Sequence, residues 1–288
     1  MVNKKEKLLQ ILAMIGIIGV AYRFTNTAIK SEKLITTKKK HGYHYDNTPT
    51  LLIHGSWGTA ITYNQMINTF QKNNLAQKVL TVFINPWGKI KYYGQWDNHN
   101  INPLIQVIFQ RNFDNGFETE AHWLANLLVD LNKKFNIQKY NIVAHSWGGS
   151  AAVLMMTRFG AIKNLPQLNK AILLATPVNE ILGIHYQVSR DHIPDKQDNL
   201  YREMLKNKQN IPHNAIINNI YGTLSKKILT DGEVPISQAQ SLAHIFQNQV
   251  KEYHEFRFNH VIHSDFHIKK NIINLIADLL WKNNIKIA

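Results

Sequence analysis

Short apolar runs alternate along this chain with stretches whose apolar residues recur every three or four positions. Thr50–Ile53, Val79–Ile84, Tyr140–Val143, Lys170–Ala175, Ala215–Tyr221 and Glu255–Phe258 have the length and composition of buried strands. Between them, Thr119–Phe135 places Trp123, Leu124, Leu127, Leu128 and Leu131 on one helical face. Ser150–Phe159 and Asn271–Trp281 are further helices. Strands alternating with helices predict an α/β fold: a mostly parallel central sheet with helices on both faces. No internal repeat or low-complexity linker interrupts residues 41–288, so one domain is expected there. Two inserts are long for a compact fold, Asn85–Glu118 and Pro177–Asn214. The first holds Trp87, Tyr92, Tyr93, Trp96 and Ile105, the second Ile181, Leu182, Ile184 and Tyr186. They read either as lid-like covers over a site at the carboxyl ends of the strands or as plain core packing.

The pattern differs at the amino terminus. Lys4, Lys5 and Lys7 precede Leu8–Tyr22, fifteen residues without a charge. A basic start followed by an apolar helix is the pattern of an export signal. The run is shorter than the ~20 residues that a spanning helix needs. Gly19-Val20-Ala21 offers a weak cleavage site, whereas Phe24 extends the helix and Arg23 can snorkel, which would leave an uncleaved anchor. Both outcomes stay open, with a retained anchor favoured. Residues 1–40 are therefore expected to be a signal or anchor helix with a basic tether. The protein would then lie at the extracellular face of the cell membrane or be secreted.

Charge sharpens this reading. The chain carries a formal net charge of +14, and residues 1–40 hold nine Lys and Arg against Glu6 and Glu32, half of that excess. A basic segment beside an apolar helix suits an anionic membrane surface better than a nucleic-acid groove, so no nucleic-acid partner is expected. With 44% apolar residues the 288-residue chain can bury a large core. It has no cysteine, hence no disulfide framework and no thiolate metal site.

The most informative local feature is Ala144-His145-Ser146-Trp147-Gly148-Gly149, between a strand and a helix. A small-x-Ser-x-Gly turn at such a junction lifts a serine hydroxyl above the sheet edge and aims the first amides of the helix at the same point. That arrangement activates a nucleophile; the plain alternative is a glycine-rich loop with a serine cap. Ala144 replaces the usual first glycine, which a turn needing only a small side chain tolerates. Acyl transfer further needs a base, an orienting acid and donors for an oxyanion. Asp231, in Asp231-Gly232-Glu233-Val234-Pro235, can present a carboxylate at the sheet edge, although Asp-Gly is also a common turn. His263 stands between the last strand and the closing helix. His267 and His260 compete with it as the base; the gap to the closing helix favours His263, with His260 third. The order Ser146, Asp231, His263 is the chain order of the α/β-hydrolases. His54-Gly55-Ser56-Trp57-Gly58, after the first strand, would bring the Ser56 amide to the reacting carbonyl, and the Trp147 amide gives a second donor. His145 is expected to pack under the serine turn and His54 to bond loop backbone. No group of residues has metal-ligand spacing and no phosphate-cradling loop is present, so no cofactor is expected.

These residues resemble the DUF915 group, α/β-hydrolases of low-GC Gram-positive bacteria proposed to act at the cell surface. The resemblance rests on Thr48–Gly55, Ala144–Gly149, Asn102–Val107, Pro177-Val178-Asn179, Ile220-Tyr221-Gly222, Asp231–Pro235 and His263-Ser264-x-Phe266-His267. It covers about residues 45 to 282 and implies Ser146, Asp231 and His263 as a triad. The chain departs from the pattern at Ala144, at Glu180 where Gly is usual, and at Ile268-Lys269. The resulting expectation is a serine hydrolase acting on a small acyl or ester substrate through an acyl-enzyme, with apolar inserts favouring acyl or aryl groups. The same triad serves an amidase, peptidase or acyltransferase, and a non-catalytic binding protein on a hydrolase scaffold is the rival from another class. Oligomeric state is not legible.

Overall fold

The computed structural model describes residues 38–112, 117–180 and 186–283. The expected N-terminal helix, and Ile181, Leu182 and Ile184 of the second insert, lie outside the described residues. Eight strands form one sheet in the order β3-β2-β4-β1-β5-β6-β7-β8. They are β1 Thr50–Ile53, β2 Gln77–Ile84, β3 Ile90–Gly94, β4 Pro103–Phe109, β5 Lys139–His145, β6 Gln167–Leu174, β7 Ile216–Thr223 and β8 Glu252–Asn259. Every neighbouring pair is parallel except β2 with β3. The helices are α1 Asn64–Lys72, α2 Glu118–Phe135, α3 Trp147–Phe159, α4 Asn199–Lys206, α5 Ile236–Gln240, α6 Leu242–Phe246 and α7 Lys270–Trp281.

Alternation along the strands explains why helices cover both faces. In β1, Leu51 and Ile53 pack with Leu124, Leu128, Ala151 and Met155 of α2 and α3. Leu52 joins Met66 and Phe70 of α1 and Ile276 and Leu280 of α7 on the opposite side. A parallel strand buried on both faces has no polar side to show, so it reads as an unbroken apolar run. Tyr43 bridges Lys282, tying the start of the described chain to the end of α7.

The first insert turns out to belong to the sheet. Asn85–Glu118 contains β3 and β4, and all seven residues of β4 are buried between β1 and β2. Tyr92 and Trp96 pack against Phe135, and Ile105 is in the core. The expected lid over this stretch is therefore replaced by two strands and a hairpin. β8 runs longer than its apolar pattern suggested because it is an edge strand, EYHEFRFN, in which every residue is at least partly exposed. Among the described residues no helix is long and apolar enough to cross a membrane.

Candidate active site

β5 ends at His145 and α3 begins at Trp147, which leaves one residue, Ser146, to make the turn. Its backbone sits at φ 54 and ψ −132, a conformation that costs a side-chain-bearing residue energy and persists only where neighbours enforce it. They do. The Ser146 N–H donates to the Leu174 carbonyl at 2.9 Å, and the Ser146 carbonyl accepts from the Gly149 N–H at 2.8 Å. The two glycines that follow allow close packing. A Cβ on Gly148 would meet the His54 carbonyl oxygen at 2.2 Å, and one on Gly149 would meet Thr176 Oγ1 at 1.9 Å. Ala144 is fully buried, and its methyl fits where glycine is usual.

Asp231 and His263 come together as the sequence suggested. Asp231 Oδ2 lies 2.8 Å from His263 Nδ1. Its other oxygen accepts the amides of Glu233 at 3.0 Å and Val234 at 2.8 Å, and the Asp231 carbonyl accepts the His263 amide at 3.0 Å. A carboxylate at Nδ1 calls for the proton on that nitrogen, which leaves Nε2 as a lone-pair base. Asp231 is 2% exposed, His263 8% and Ser146 9%. Ser146 and His263 open on one cavity of about 510 Å³. Oγ and Nε2 share it without a direct hydrogen bond, a looseness common in unliganded sites.

Of the competing histidines, His267 lines the same cavity and His260 does not. His267 is partly buried with no hydrogen bond at Nδ1, and burial pushes it down to about 4. His260 holds a positive φ in the loop after β8, where its carbonyl accepts from Lys269 Nζ. His145 packs under the turn with its ring centroid 4.5 Å from that of His263 and its Nε2 3.1 Å from the His263 carbonyl. Burial drives it well below the usual imidazole range. His54 spans two loops, with Nδ1 2.9 Å from the Gly55 carbonyl and Nε2 accepting the Phe109 amide at 3.0 Å. Both follow the sequence reading.

Gly55 brings the loop after β1 against the serine, since a Cβ there would lie 2.7 Å from Ser146 Cβ. Ser56 and Trp147 both line the cavity. Trp147 is the first residue of α3, so its amide has no acceptor within the helix. The loop is held by Asn112, whose carbonyl accepts the Trp57 amide at 3.2 Å and whose Nδ2 donates to the Gly58 carbonyl at 2.7 Å.

Two carboxylates escaped the sequence reading. Glu233 Oε2 lies 3.6 Å from His263 Nε2. Glu180, a departure from the expected pattern, accepts a 3.0 Å hydrogen bond from Trp147 Nε1, and burial raises its pKa. Both line the cavity, as does Pro177; the aromatic residues of the first insert do not. Among the described residues no cluster of three or more His, Cys, Asp or Glu could hold a metal ion.

Sheet order, strained serine turn and acid–imidazole pair together define an α/β-hydrolase fold. The chain belongs to the family described as alpha/beta hydrolase of unknown function (DUF915), whose model matches residues 37–283. Two solved structures share the architecture. A gene product of Listeria innocua is 24% identical with a TM-score of 0.75, covering 84% of this chain and 96% of that one. A protein of Lactobacillus plantarum, described as a proposed cell surface hydrolase, is 24% identical with a TM-score of 0.67, covering 81% and 91%. A search of curated proteins returns no match.

Proposed function

We propose that this hydrolase cleaves carboxylic esters through a serine acyl-enzyme. His263 Nε2 takes the Ser146 proton as Oγ attacks the acyl carbon, and Asp231 orients the imidazole and stabilises its charged form. The Ser56 and Trp147 amides receive the developing oxyanion; losing one such donor typically costs about 100- to 1,000-fold in rate. The observation that carries this reading is the 2.8 Å Asp231–His263 contact beside a serine in a strained turn on the same cavity. The mainly polar lining argues against the apolar acyl and aryl preference that the inserts suggested. A fluorophosphonate probe tests the reaction class. Labelling of the wild type, and not of Ser146→Ala, is expected; labelling of neither would favour a binding protein on this scaffold. Turnover of p-nitrophenyl esters, and not of matched anilides, is expected for an esterase. We further propose an extracytoplasmic location, anchored or secreted through residues 1–40. The basic apolar N-terminal pattern supports it, as does the cell-surface description of the Lactobacillus protein. Protease should then reach the protein on intact cells, and a purely cytosolic pool would overturn that placement.

A further inference from the structure

His263 stands between two carboxylates. Asp231 Oδ2 holds Nδ1 at 2.8 Å, and Glu233 Oε2 lies 3.6 Å from Nε2, the nitrogen that serves Ser146 in the reaction proposed above. One turn supplies both acids. Gly232 between them sits at φ 105, and the Glu233 amide donates to Asp231 Oδ1 at 3.0 Å. The acid that orients the ring therefore also fixes the backbone of the second acid. Their side chains differ in freedom: that of Asp231 is 1% exposed and that of Glu233 is 71% exposed. Asp231 is locked, whereas Glu233 can swing into water. The other titratable groups around the ring leave Nε2 to Glu233. His145, at the end of β5, has its ring centroid 4.5 Å from that of His263, and His267 lines the same cavity. Burial holds His145 well below the usual imidazole range and His267 at about 4, so both are neutral near pH 7. Asp265 pairs with Lys269 at 2.9 Å, and Glu180 is bonded to Trp147 Nε1 at 3.0 Å.

On the serine-hydrolase reading, we propose that Glu233 is a positioning residue that clamps His263 when Nε2 is protonated, and thereby sets the pH at which Ser146 becomes reactive. Carboxylates are ionised where imidazoles titrate. In acid the ring takes a proton from water at Nε2. Glu233, less than an ångström beyond hydrogen-bond reach, closes on that N–H as an ion pair, and Ser146 is left without a base. As pH rises the proton returns to water. Nε2 then turns a lone pair towards a carboxylate, two acceptors with no hydrogen to share, and the exposed arm withdraws. Ser146 Oγ is then free to donate to Nε2 and attack. An opposite charge beside an imidazole favours its charged form, so the clamp delays activation to a higher pH than Asp231 alone would set.

The test follows the rate at which an uncharged alkyl fluorophosphonate labels the full-length chain across the neutral pH range. In that step Oγ bonds to phosphorus, fluoride leaves and the Oγ proton passes to His263 Nε2. The rate therefore reads the free base without a known substrate. The acid limb of the wild type should have its midpoint about 0.2–0.7 pH units above that of Glu233→Gln, the size expected of an exposed ion pair. Glu233→Asp, which keeps the charge on a shorter arm, should fall between them, and Glu233→Lys should lie lowest. The differences should narrow as salt rises, because an exposed pair is screened. A role in holding the turn alone would change the plateau rate and leave the midpoint in place. Equal midpoints in the wild type and Glu233→Gln, with Ser146-dependent labelling intact, overturn this proposal and leave the hydrolase reading standing. Absence of Ser146-dependent labelling at every pH brings down both.

Discussion

Asp231 and His263 are joined twice, by a 2.8 Å contact from carboxylate to Nδ1 and by a 3.0 Å backbone bond from the His263 amide to the Asp231 carbonyl. The double tie fixes both the position and the tautomer of the ring. Because the second carboxylate oxygen is occupied by the Glu233 and Val234 amides, the acid has little freedom to turn away. A reaction that runs through this ring should respond sharply to either member.

That dependence separates the histidines. His263→Ala should remove ester turnover, whereas His267→Ala should retain most of it, since His267 has no carboxylate behind its ring. Asp231→Asn should lower kcat by roughly 1,000- to 10,000-fold by supporting the wrong tautomer. Steady-state kinetics on the three variants checks this, and the reverse ranking of the two histidines would move the base to His267.

The glycines after the serine make a structural prediction. A methyl on Gly148 would press on the His54 carbonyl oxygen at 2.2 Å, and backbone there cannot swing aside as a side chain would. Gly148→Ala should cost about 1–3 kcal/mol, seen as a melting temperature lower by roughly 2–12 °C. It should also slow fluorophosphonate labelling, because the displaced segment leads directly into Gly55 and Ser56. Unchanged melting and labelling would show that the start of α3 and the loop after β1 separate without penalty.

Buried titratable groups set a pH window. Burial lowers His54 to about 4 and His267 to about 4, both below the usual 6.5. Their contribution is present above pH 6.5 and is lost as pH falls towards 4, because the unfolded chain binds the protons first. Glu120 has the opposite sign. Burial raises it to about 8 from 4.5, so its contribution is full below pH 4.5 and is lost as pH climbs to 8. Two imidazoles outweigh one carboxyl below pH 6.5, so these groups together place maximal stability near that value. Thermal melts from pH 4 to 9 check it. Glu120→Gln should gain on the wild type steadily between pH 4.5 and 8 and level off above; a constant difference would show that Glu120 stays ionised.

Much of the site was legible because its chemistry is local. The serine turn needs a strand, small residues and a helix within a few positions, and Tyr140–Phe159 supplies them in order. Asp231 was legible only as a turn residue with a rival meaning, and His263 only as one histidine among 14. β4 was missed because PLIQVIF was read together with the aromatic residues around it as a cover, although the same apolar run suits a strand buried on both faces. Glu233 gave no signal, since an exposed glutamate in a turn is ordinary until an imidazole approaches it.

The sequence by itself determined the alternation of strand and helix, the apolar faces and the local geometry of the Ser146 turn, because each depends on residues within one or two turns of chain. Tertiary structure alone decided which histidine meets an acid, which insert becomes sheet, and that two glutamates face the cavity of a basic protein. Those outcomes depend on contacts between segments tens of residues apart. Such contacts are fixed by how the two faces of the sheet are covered, and no short stretch of chain encodes that.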